Sequence, residues 1–362
     1  MTLGIFTDDF YPFVGGMGRY VHELTRRLPQ RQILIFSPSG IEAPNHVRVR
    51  PLLHQKLRNL SFSVWLYQNI DWCIKEYDLS KINIQCGPGG LFLLQSVDVP
   101  VIATCHHTWW QQSRYIHKQF WKRLFTPFEK RTYTLADKII CDAEDSKSVL
   151  INKYGIRSKK IAVIPIGVDQ KQFFPLNEVK SIPNSLLFIG RLDKRKGIDF
   201  LIRAMPYVVK ENPGAKLYIG GTGKGQNRLQ RYVTARNLDK NVEFLGFIPE
   251  ERLNYWYNQV QCVVVPSVFE GFGLTVIEAM AAGTPVVATN VDALKELIED
   301  GVDGCLVEYG DIESLADRIV ALFLDEDKRR LLVQKGREKV QSTYNWDRII
   351  QVFIDEVDGA SC

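Results

Sequence analysis

Short apolar runs alternate along the whole chain with longer stretches in which apolar residues recur at helical spacing. The apolar runs form two series, residues 3–6, 32–36, 82–86, 99–105, 138–141 and 161–165, and residues 185–190, 216–221, 242–246, 262–266, 285–289 and 304–308. Continuous aliphatic and β-branched runs separated by helices are typical of strands buried on both faces of a parallel sheet. The pattern predicts an α/β protein with two Rossmann-like, doubly wound parallel-sheet domains.

A stretch without clear periodicity separates the two series. Residues 171–184 contain two prolines and are interpreted as a linker. This gives an N-terminal domain of residues 1–170 and a C-terminal domain of residues 185–345. Residues 346–358 then repeat apolar side chains at helical spacing. Because an apolar helix face needs a surface to cover, we expect this helix to pack back on the N-terminal domain.

Composition narrows the class of protein without identifying it. The 362 residues are 45% hydrophobic and 24% charged, which is ordinary for a globular protein, and the net charge of +5 is too small to indicate nucleic-acid binding. The seven cysteines are scattered, odd in number and without CxxC spacing, which favours buried thiols in a reducing compartment. With neither a signal peptide nor a long apolar run in view, we expect a cytoplasmic protein.

Glycine-rich turns follow predicted strands at residues 15–18, 220–223 and 271–273. Such turns open helices at the carboxyl edge of a parallel sheet, where free backbone amides can bind anions, although glycines can also serve only as tight turns. Arg191 and Lys196 lie in another strand-to-helix turn. A fixed guanidinium beside a lysine suits a diphosphate, and the alternative is a solvated basic turn.

Two carboxylates flank the third turn. Glu278 is the only charge on a predicted core helix of residues 274–282, so it needs a bonded partner, either the hydroxyls of a ribose or a salt bridge. Glu270 immediately precedes the turn. It could approach the positive charge that develops at the anomeric carbon of a sugar, or it could cap the helix.

In this combination the sequence resembles the retaining glycosyltransferases of the GT-B fold, family 4. Glu270 and Glu278 complete an E-x7-E pattern around "GFGLTVI", and Arg191 and Lys196 complete an R-x4-K pattern around "LDKR". The segments "DFYPFVGGMGRYVHEL", "VIATCHH" with His106, "VIPIGVD" and "FLGFIPEERL" resemble further family segments in the same order. The resemblance therefore covers nearly the whole chain.

The resemblance implies a donor site in an interdomain cleft, with a UDP- or GDP-hexose held mostly by the C-terminal domain. Arg191 and Lys196 would hold the diphosphate, Glu278 the ribose and Glu270 the donor sugar. His106 would point at the donor sugar, and the loop of Gly15 and Gly16 would close over the donor. The backbone near Phe247 would meet the base. Sugar and phosphate would face the amides of Phe272, Gly273, Leu274 and Thr275. Glu270, His106, Arg191 and Lys196 form the implied catalytic set.

The resemblance also implies that no metal or other cofactor is required and that the N-terminal domain binds the acceptor, a glycan or a lipid-linked hydroxyl. Residues 108–131 hold three of the seven tryptophans. The segment combines an apolar stripe of Trp121, Leu124, Phe125 and Phe128 with nearby Lys118, Lys122, Arg123 and Lys130. This pattern indicates peripheral contact with the cytosolic face of a membrane, or an amphipathic helix packed on its own sheet.

Other functions share some of these features. A sugar-nucleotide epimerase of similar two-domain fold needs its own acid–base residues, which we cannot identify in the sequence, and a glycoside hydrolase has no use for phosphate-binding turns. A catalytically silent glycosyltransferase-like subunit would have the same fold. Because both motif pairs are complete, the sequence favours an active glycosyltransferase.

Overall fold

The computed structural model describes residues 2–10, 15–28, 33–38, 45–50, 58–88, 90–115, 121 and 123–360. The chain divides into two compact units. The first consists of Met1–Ile166 and Asp347–Cys362, and the second of Gly167–Trp346. Each unit is built around one parallel sheet with helices, so the expected α/β architecture with two parallel sheets is confirmed.

The first unit contains a seven-stranded parallel sheet. Its strands are β1 (Thr2–Phe6), β2 (Ile33–Ser37), β3 (His46–Arg48), β4 (Leu79–Cys86), β5 (Val101–Cys105), β6 (Lys138–Cys141) and β7 (Ile161–Val163), in the order β3-β2-β1-β4-β5-β6-β7. The helices of this part of the chain are α1 (Gly16–Arg27), α2 (Arg58–Glu76), α3 (Trp109–Tyr115), α4 (Thr126–Leu135) and α5 (Glu144–Asn152). Strand β3 was not expected, because only one of its three residues, Val47, is apolar.

The second unit contains a six-stranded parallel sheet. Its strands are β8 (Ser185–Ile189), β9 (Lys216–Gly220), β10 (Val242–Gly246), β11 (Cys262–Val265), β12 (Val286–Thr289) and β13 (Cys305–Val307), in the order β10-β9-β8-β11-β12-β13. The later helices are α6 (Ile198–Glu211), α7 (Gln226–Ala235), α8 (Glu250–Gln259), α9 (Leu274–Ala282), α10 (Leu294–Leu297), α11 (Ile312–Leu324), α12 (Glu326–Thr343) and α13 (Trp346–Asp358). The strand order reverses between β8 and β11, which is where open α/β sheets bind ligands.

Each core consists of apolar side chains from one sheet and its helices. Helix α2 contributes Phe62, Leu66 and Ile70, spaced four residues apart, to the first core. The six cysteines within the described residues are buried and form no disulfide. In the part of the chain that the structure describes, no helix has the length and hydrophobicity needed to cross a bilayer.

Residues 171–184, interpreted above as a linker, belong to the second unit. Three of their backbone amides are bonded by side chains of α8 and of the residues after it. The amide of Phe174 donates to Asn254 Oδ1 at 3.1 Å, that of Leu176 to Asn258 Oδ1 at 2.7 Å, and that of Asn184 to Gln261 Oε1 at 2.7 Å. A segment without periodicity is thus held by polar side chains, which supply the partners that regular structure would otherwise provide.

The C-terminal helix α13 joins the first unit from residue 347 onward. The ammonium of Lys81, on β4, donates to the carbonyl oxygens of Val357 at 2.5 Å, Asp358 at 3.0 Å and Ala360 at 2.8 Å. Val357 and Asp358 are the last two residues of α13, and Ala360 lies just beyond it. A cation at this end of the helix complements the helix dipole. Lys81 therefore closes the end of α13 onto the sheet.

Candidate active site

The turn after β8 is pressed against the segment that follows β11, the neighbouring strand. Asp193 caps the short 3-10 turn Lys194–Lys196 by accepting hydrogen bonds from the amides of Arg195 at 3.0 Å and Lys196 at 3.2 Å. Gly197 follows with φ of 64°, and a Cβ there would lie 1.7 Å from the carbonyl oxygen of Pro266. Only glycine permits this approach, which brings Lys196 close to the start of the E-x7-E pattern.

Lys196, which is partly buried, and Glu270, which is buried, form an ion pair. Lys196 Nζ lies 2.5 Å from Glu270 Oε1, and the hydroxyl of Ser267 donates to the same oxygen at 2.7 Å. Burial by itself would raise the pKa of Glu270. The positive charges of Lys196 and Arg195 and the two hydrogen bonds outweigh burial and lower this pKa to about 2. Glu270 is therefore ionised throughout the physiological range.

This pairing changes the interpretation of the two residues. The sequence assigned Lys196 to a phosphate and Glu270 to a sugar as separate roles, whereas the structure holds their charges in direct contact. An ammonium has three N–H donors, so Lys196 can keep Glu270 and still bind other oxygens. The ammonium of Lys196 can thus bind a negatively charged group of a ligand, while the carboxylate of Glu270 faces a positively charged group next to it.

Arg191 does not join this pair in the structure. Its side chain is 61% exposed, and its Nε lies 3.6 Å from Asp193 Oδ2, which is a weak surface contact. The guanidinium is consequently available to an anionic ligand that arrives at the turn. The structure therefore brings Lys196 and Glu270 together and leaves Arg191 at the rim.

The turn after Glu270 leads into α9 through Gly273, which has φ of 110°. A Cβ at Gly273 would collide with leucine side chains of α10, so the turn is confined to its present path. Phe272 is buried with its ring edge-on to Tyr344 at 5.9 Å. The amides of Leu274 and Thr275, in the first turn of α9, have no intrahelical acceptors and carry the positive end of the helix dipole.

Glu278 lies on the buried face of α9. The hydroxyl of Tyr257, a fully buried side chain of α8, donates to Glu278 Oε2 at 2.7 Å. The Thr284 hydroxyl in turn donates to the backbone carbonyl of Tyr257 at 2.7 Å. A tyrosine hydroxyl thus helps to satisfy the carboxylate. It donates to one oxygen of the carboxylate, Oε2.

Two glycine turns carry further predicted residues. Phe247 directly follows β10 and Gly246, whose φ is 70°, and its ring is 76% exposed. In the first unit, the amide of Gly15 donates to Asp9 Oδ2 at 2.9 Å, and Gly16 begins α1. The other residues of the "DFYPFVGG" loop, 11–14, lie outside the described part of the chain.

His106 lies among polar side chains at the carboxyl ends of three neighbouring strands. Its Nδ1 lies 2.7 Å from Asp142 Oδ2, and its Nε2 lies 2.8 Å from Gln85 Oε1. The ring of Tyr20 meets the imidazole edge-on, with centroids 5.1 Å apart. The sequence interpretation had His106 pointing at a donor sugar. In the structure both ring nitrogens contact protein side chains.

Four residues of these clusters were missed in the sequence. Ser267, Asp142 and Gln85 each lie at or just beyond the carboxyl end of a strand, and a polar residue at that position is a usable signal. Tyr257 has no such signal, because a tyrosine on an amphipathic helix is ordinary. Among the described residues, no group of three or more His, Cys, Asp or Glu side chains could hold a metal ion.

Two protein families match this chain, and together they cover most of its length. The family described as glycosyl transferases group 1 matches residues 169–339, and the one described as glycosyltransferase family 4 matches residues 14–172. An uncharacterized glycosyltransferase of Methanocaldococcus jannaschii is 31% identical over 87% of this chain and 85% of its own length. Mannosylfructose-phosphate synthase of Agrobacterium fabrum is 28% identical over 95% of this chain and 86% of its own.

Solved structures share the fold over the full length. Sucrose-phosphate synthase from Thermosynechococcus elongatus superposes with a TM-score of 0.84 at 23% identity, covering 98% of both chains. The Anabaena protein HepE, in complex with UDP and glucose, has a TM-score of 0.78 at 18% identity, covering 99% of both chains. At these identities the likeness concerns the fold alone.

Proposed function

This chain belongs to family 4 of the glycosyltransferases, the group 1 glycosyl transferases, and on that premise we propose that it is a retaining, metal-independent hexosyltransferase. It is a transferase of the GT-B fold that uses a nucleotide sugar. We assign a UDP- or GDP-hexose donor to the second unit. We assign a hydroxyl acceptor, on a growing glycan or a lipid-linked sugar, to the first unit.

The observation that carries this proposal is the Lys196–Glu270 pair beside the first turn of α9. Breaking the anomeric C–O bond places negative charge on the diphosphate and positive charge on the sugar. The negative charge would be stabilised by Lys196, by the exposed guanidinium of Arg191 and by the amides of α9. Glu270 would stabilise the positive charge on the sugar. The cations thereby do what a metal ion would do for a leaving phosphate.

We further propose a front-face route, in which the departing phosphate oxygen takes the proton of the acceptor hydroxyl. This route keeps the configuration of the anomeric carbon and requires no separate protein base. His106, Gly15, Gly16 and Phe247 are assigned to the donor by the resemblance alone. The epimerase alternative is not retained, because the family is one of transferases.

Release of nucleoside diphosphate from a panel of UDP-, GDP- and ADP-sugars tests the function. The reactions are run with and without a membrane lipid extract, in the presence of a chelator, and the anomeric configuration of the product is read by NMR. Release from one donor with retained configuration is the expected result. Nucleotide binding without turnover on any lipid or soluble acceptor would instead indicate the silent subunit. Turnover that the chelator abolishes would contradict the metal independence.

Loss of the Glu278 carboxylate is expected to weaken binding of the nucleoside diphosphate. Glu278→Ala removes an acceptor for two ribose hydroxyls, and we expect a dissociation constant about 10- to 100-fold higher, since hydrogen bonds to a charged group contribute about 1.5–3 kcal/mol. Titration calorimetry measures the change. Tyr257→Phe is the control, because it removes the donor to Oε2 and keeps the carboxylate. Equal affinity in wild type and Glu278→Ala would refute the ribose role.

We propose that the acceptor side of the first unit contacts an anionic membrane through residues 108–131. Trp121, Leu124 and Phe128 are exposed, and Leu124 reaches 73%. Arg123 and Lys130 are exposed beside them. Aromatic and aliphatic side chains next to basic ones are what interfacial segments present to lipid headgroups. Of the further basic residues in the pattern, Lys118 and Lys122 lie outside the described residues.

Leu124→Glu is expected to reduce binding to anionic liposomes several-fold, because it places a negative charge at the most exposed apolar position of the segment. Co-sedimentation with vesicles containing phosphatidylserine measures the effect. Leu324→Glu makes the same change at a leucine of α11 that is 76% exposed, and it should leave binding unaltered. If wild-type protein ignores the vesicles and uses only soluble acceptors, the membrane contact is wrong.

A further inference from the structure

Three adjacent strands of the first sheet each deliver one polar side chain to the same edge. Gln85 is the last residue but one of β4, His106 directly follows β5, and Asp142 directly follows β6. The register pairs Cys86 with Cys105 and Cys105 with Cys141, so these positions lie side by side. All three side chains are buried, and His106 lies between the other two.

Asp142 determines where the imidazole carries a proton. A carboxylate only accepts hydrogen bonds, so the contact of 2.7 Å between Asp142 Oδ2 and His106 Nδ1 requires a proton on Nδ1. The distance is in the range of charge-assisted hydrogen bonds. The second oxygen of Asp142, Oδ1, is buried and has no hydrogen-bond partner among the described residues. The imidazole is therefore the main compensation for a buried carboxylate, which would otherwise be costly.

Gln85 holds the other side of the ring through a short chain of amides. Its Nε2 donates to Asn83 Oδ1, and Asn83 Nδ2 donates to Thr104 Oγ1 at 3.0 Å. This chain turns Oε1 of Gln85 toward His106 Nε2 at 2.8 Å. An amide oxygen accepts hydrogen bonds as a carboxylate does, so the two contacts call for an N–H at each ring nitrogen, Nδ1–H toward Asp142 and Nε2–H toward Gln85. With Tyr20 against the ring edge, the imidazole is confined to one orientation.

We propose that Asp142 is a positioning residue for glycosyl transfer, holding the Nδ1 proton and the orientation of His106. The inference rests on the proposed function insofar as His106 serves the transfer. A side chain that approaches a reacting sugar gains from an orientation set in advance, because no free energy is then spent on ordering it. The carboxylate acts through the imidazole and needs no contact with substrate.

The kinetic test compares Asp142→Asn with Asp145→Asn. Asp145 lies in the first turn of α5, and its Oδ2 accepts from Gln111 Nε2 at 2.6 Å. Asp145→Asn is therefore the same substitution at a nearby carboxylate. Asp142→Asn can turn an N–H toward Nδ1, which disfavours a proton on that nitrogen. We expect kcat to fall roughly 10²-fold with little change in KM. Asp145→Asn should keep the wild-type values.

A spectroscopic test needs no substrate. Long-range proton–nitrogen NMR of protein labelled at its six histidines reports which ring nitrogens are protonated, and His106→Gln identifies the signals. We expect a protonated Nδ1 in wild type and in Asp145→Asn, and its loss in Asp142→Asn. If Asp142→Asn does not fold, the wild-type spectrum decides, because an unprotonated Nδ1 would overturn the inference.

The two tests separate this inference from the proposed function. If wild type turns over no donor, the proposed function fails, and the ring spectra still decide whether Asp142 holds the Nδ1 proton. If wild type is active and Asp142→Asn keeps its kcat, Asp142 has no positioning role. Loss of the protonated Nδ1 together with a selective fall in kcat supports the inference.

Discussion

Replacing Lys196 with methionine is expected to lower kcat/KM for glycosyl transfer by about 10²- to 10³-fold, the loss typical of removing one preorganised charge from a transition state. Methionine keeps the length of the apolar stem and deletes the ammonium, which lies 2.5 Å from Glu270 Oε1. That ammonium is the charge we assign to the leaving diphosphate. The affinity for nucleoside diphosphate should fall as well. Steady-state kinetics and titration calorimetry measure the two effects.

The matched control is Lys194→Met, in the same 3-10 turn. Lys194 is exposed, so its loss changes the net charge equally without touching the ion pair. We expect nearly wild-type kinetics for Lys194→Met. Thermal unfolding is needed for both variants, because Lys196→Met leaves Glu270 buried without its cation. Equal losses in the two variants would mean that general surface charge, and not this ammonium, attracts the nucleotide.

Glu270→Gln is expected to lower kcat by about 10²-fold while changing nucleoside diphosphate affinity much less. Glutamine has the same shape and can still accept the hydrogen bond from Ser267, so the pocket should persist. The glutamine side chain is neutral and does not stabilise the positive charge that develops at the anomeric carbon. Kinetics with the donor found by the panel, together with calorimetric titration of the nucleotide, separate the two quantities.

Asp303→Asn is the control for Glu270→Gln. Asp303 is also buried and accepts from Lys339 Nζ at 2.6 Å in the same unit, so it represents the loss of a buried lysine–carboxylate pair in general. We expect Asp303→Asn to lower stability without a selective fall in kcat. A comparable fall in kcat for both variants would contradict a chemical role for Glu270.

The pH dependence of unfolding gives an independent check on Glu270. Its pKa is about 2 in the folded protein against an ordinary 4.5. The folded state therefore binds this proton less readily than the unfolded state. Its contribution to the free energy of unfolding is complete above about pH 4.5 and is lost as the pH falls toward 2. The stability difference between wild type and Glu270→Gln should shrink over this range. A constant difference would show that the pair does not hold the carboxylate ionised.

Much of the fold could be predicted because each element follows from local pattern. The helix expected at residues 274–282 is present as Leu274–Ala282 and ends at Gly283, whose φ is 82°. The strand expected at residues 262–266 is present as Cys262–Val265. Buried parallel strands and an apolar helix between glycines have periodicities that short windows reveal. The strand His46–Arg48 has a single apolar residue, Val47, and shows no such pattern.

The contacts of the candidate site were harder to predict from the sequence, because they depend on which strands are neighbours. Lys196 and Glu270 are 74 residues apart in sequence and meet because β8 pairs with β11. Asp142 reaches His106 because β6 lies beside β5. Tyr257 reaches Glu278 through the packing of α8 on α9. Residue types and spacing identify candidates, but the partner of each one is determined by sheet order and helix packing.

The attachment of α13 to β4 by Lys81 has a consequence for synthesis in the cell. Domains generally complete their folding in the order in which the ribosome makes them. Here Lys81 is translated early, while the carbonyls that it binds, at Val357, Asp358 and Ala360, follow only after all of residues 167–346. The first unit therefore cannot complete its folding until the second unit has been translated. During that time the surface that α13 will cover stays exposed, and the second unit can fold. A premature stop codon just before residue 347 would therefore leave the second unit complete and deprive the first unit of its last helix.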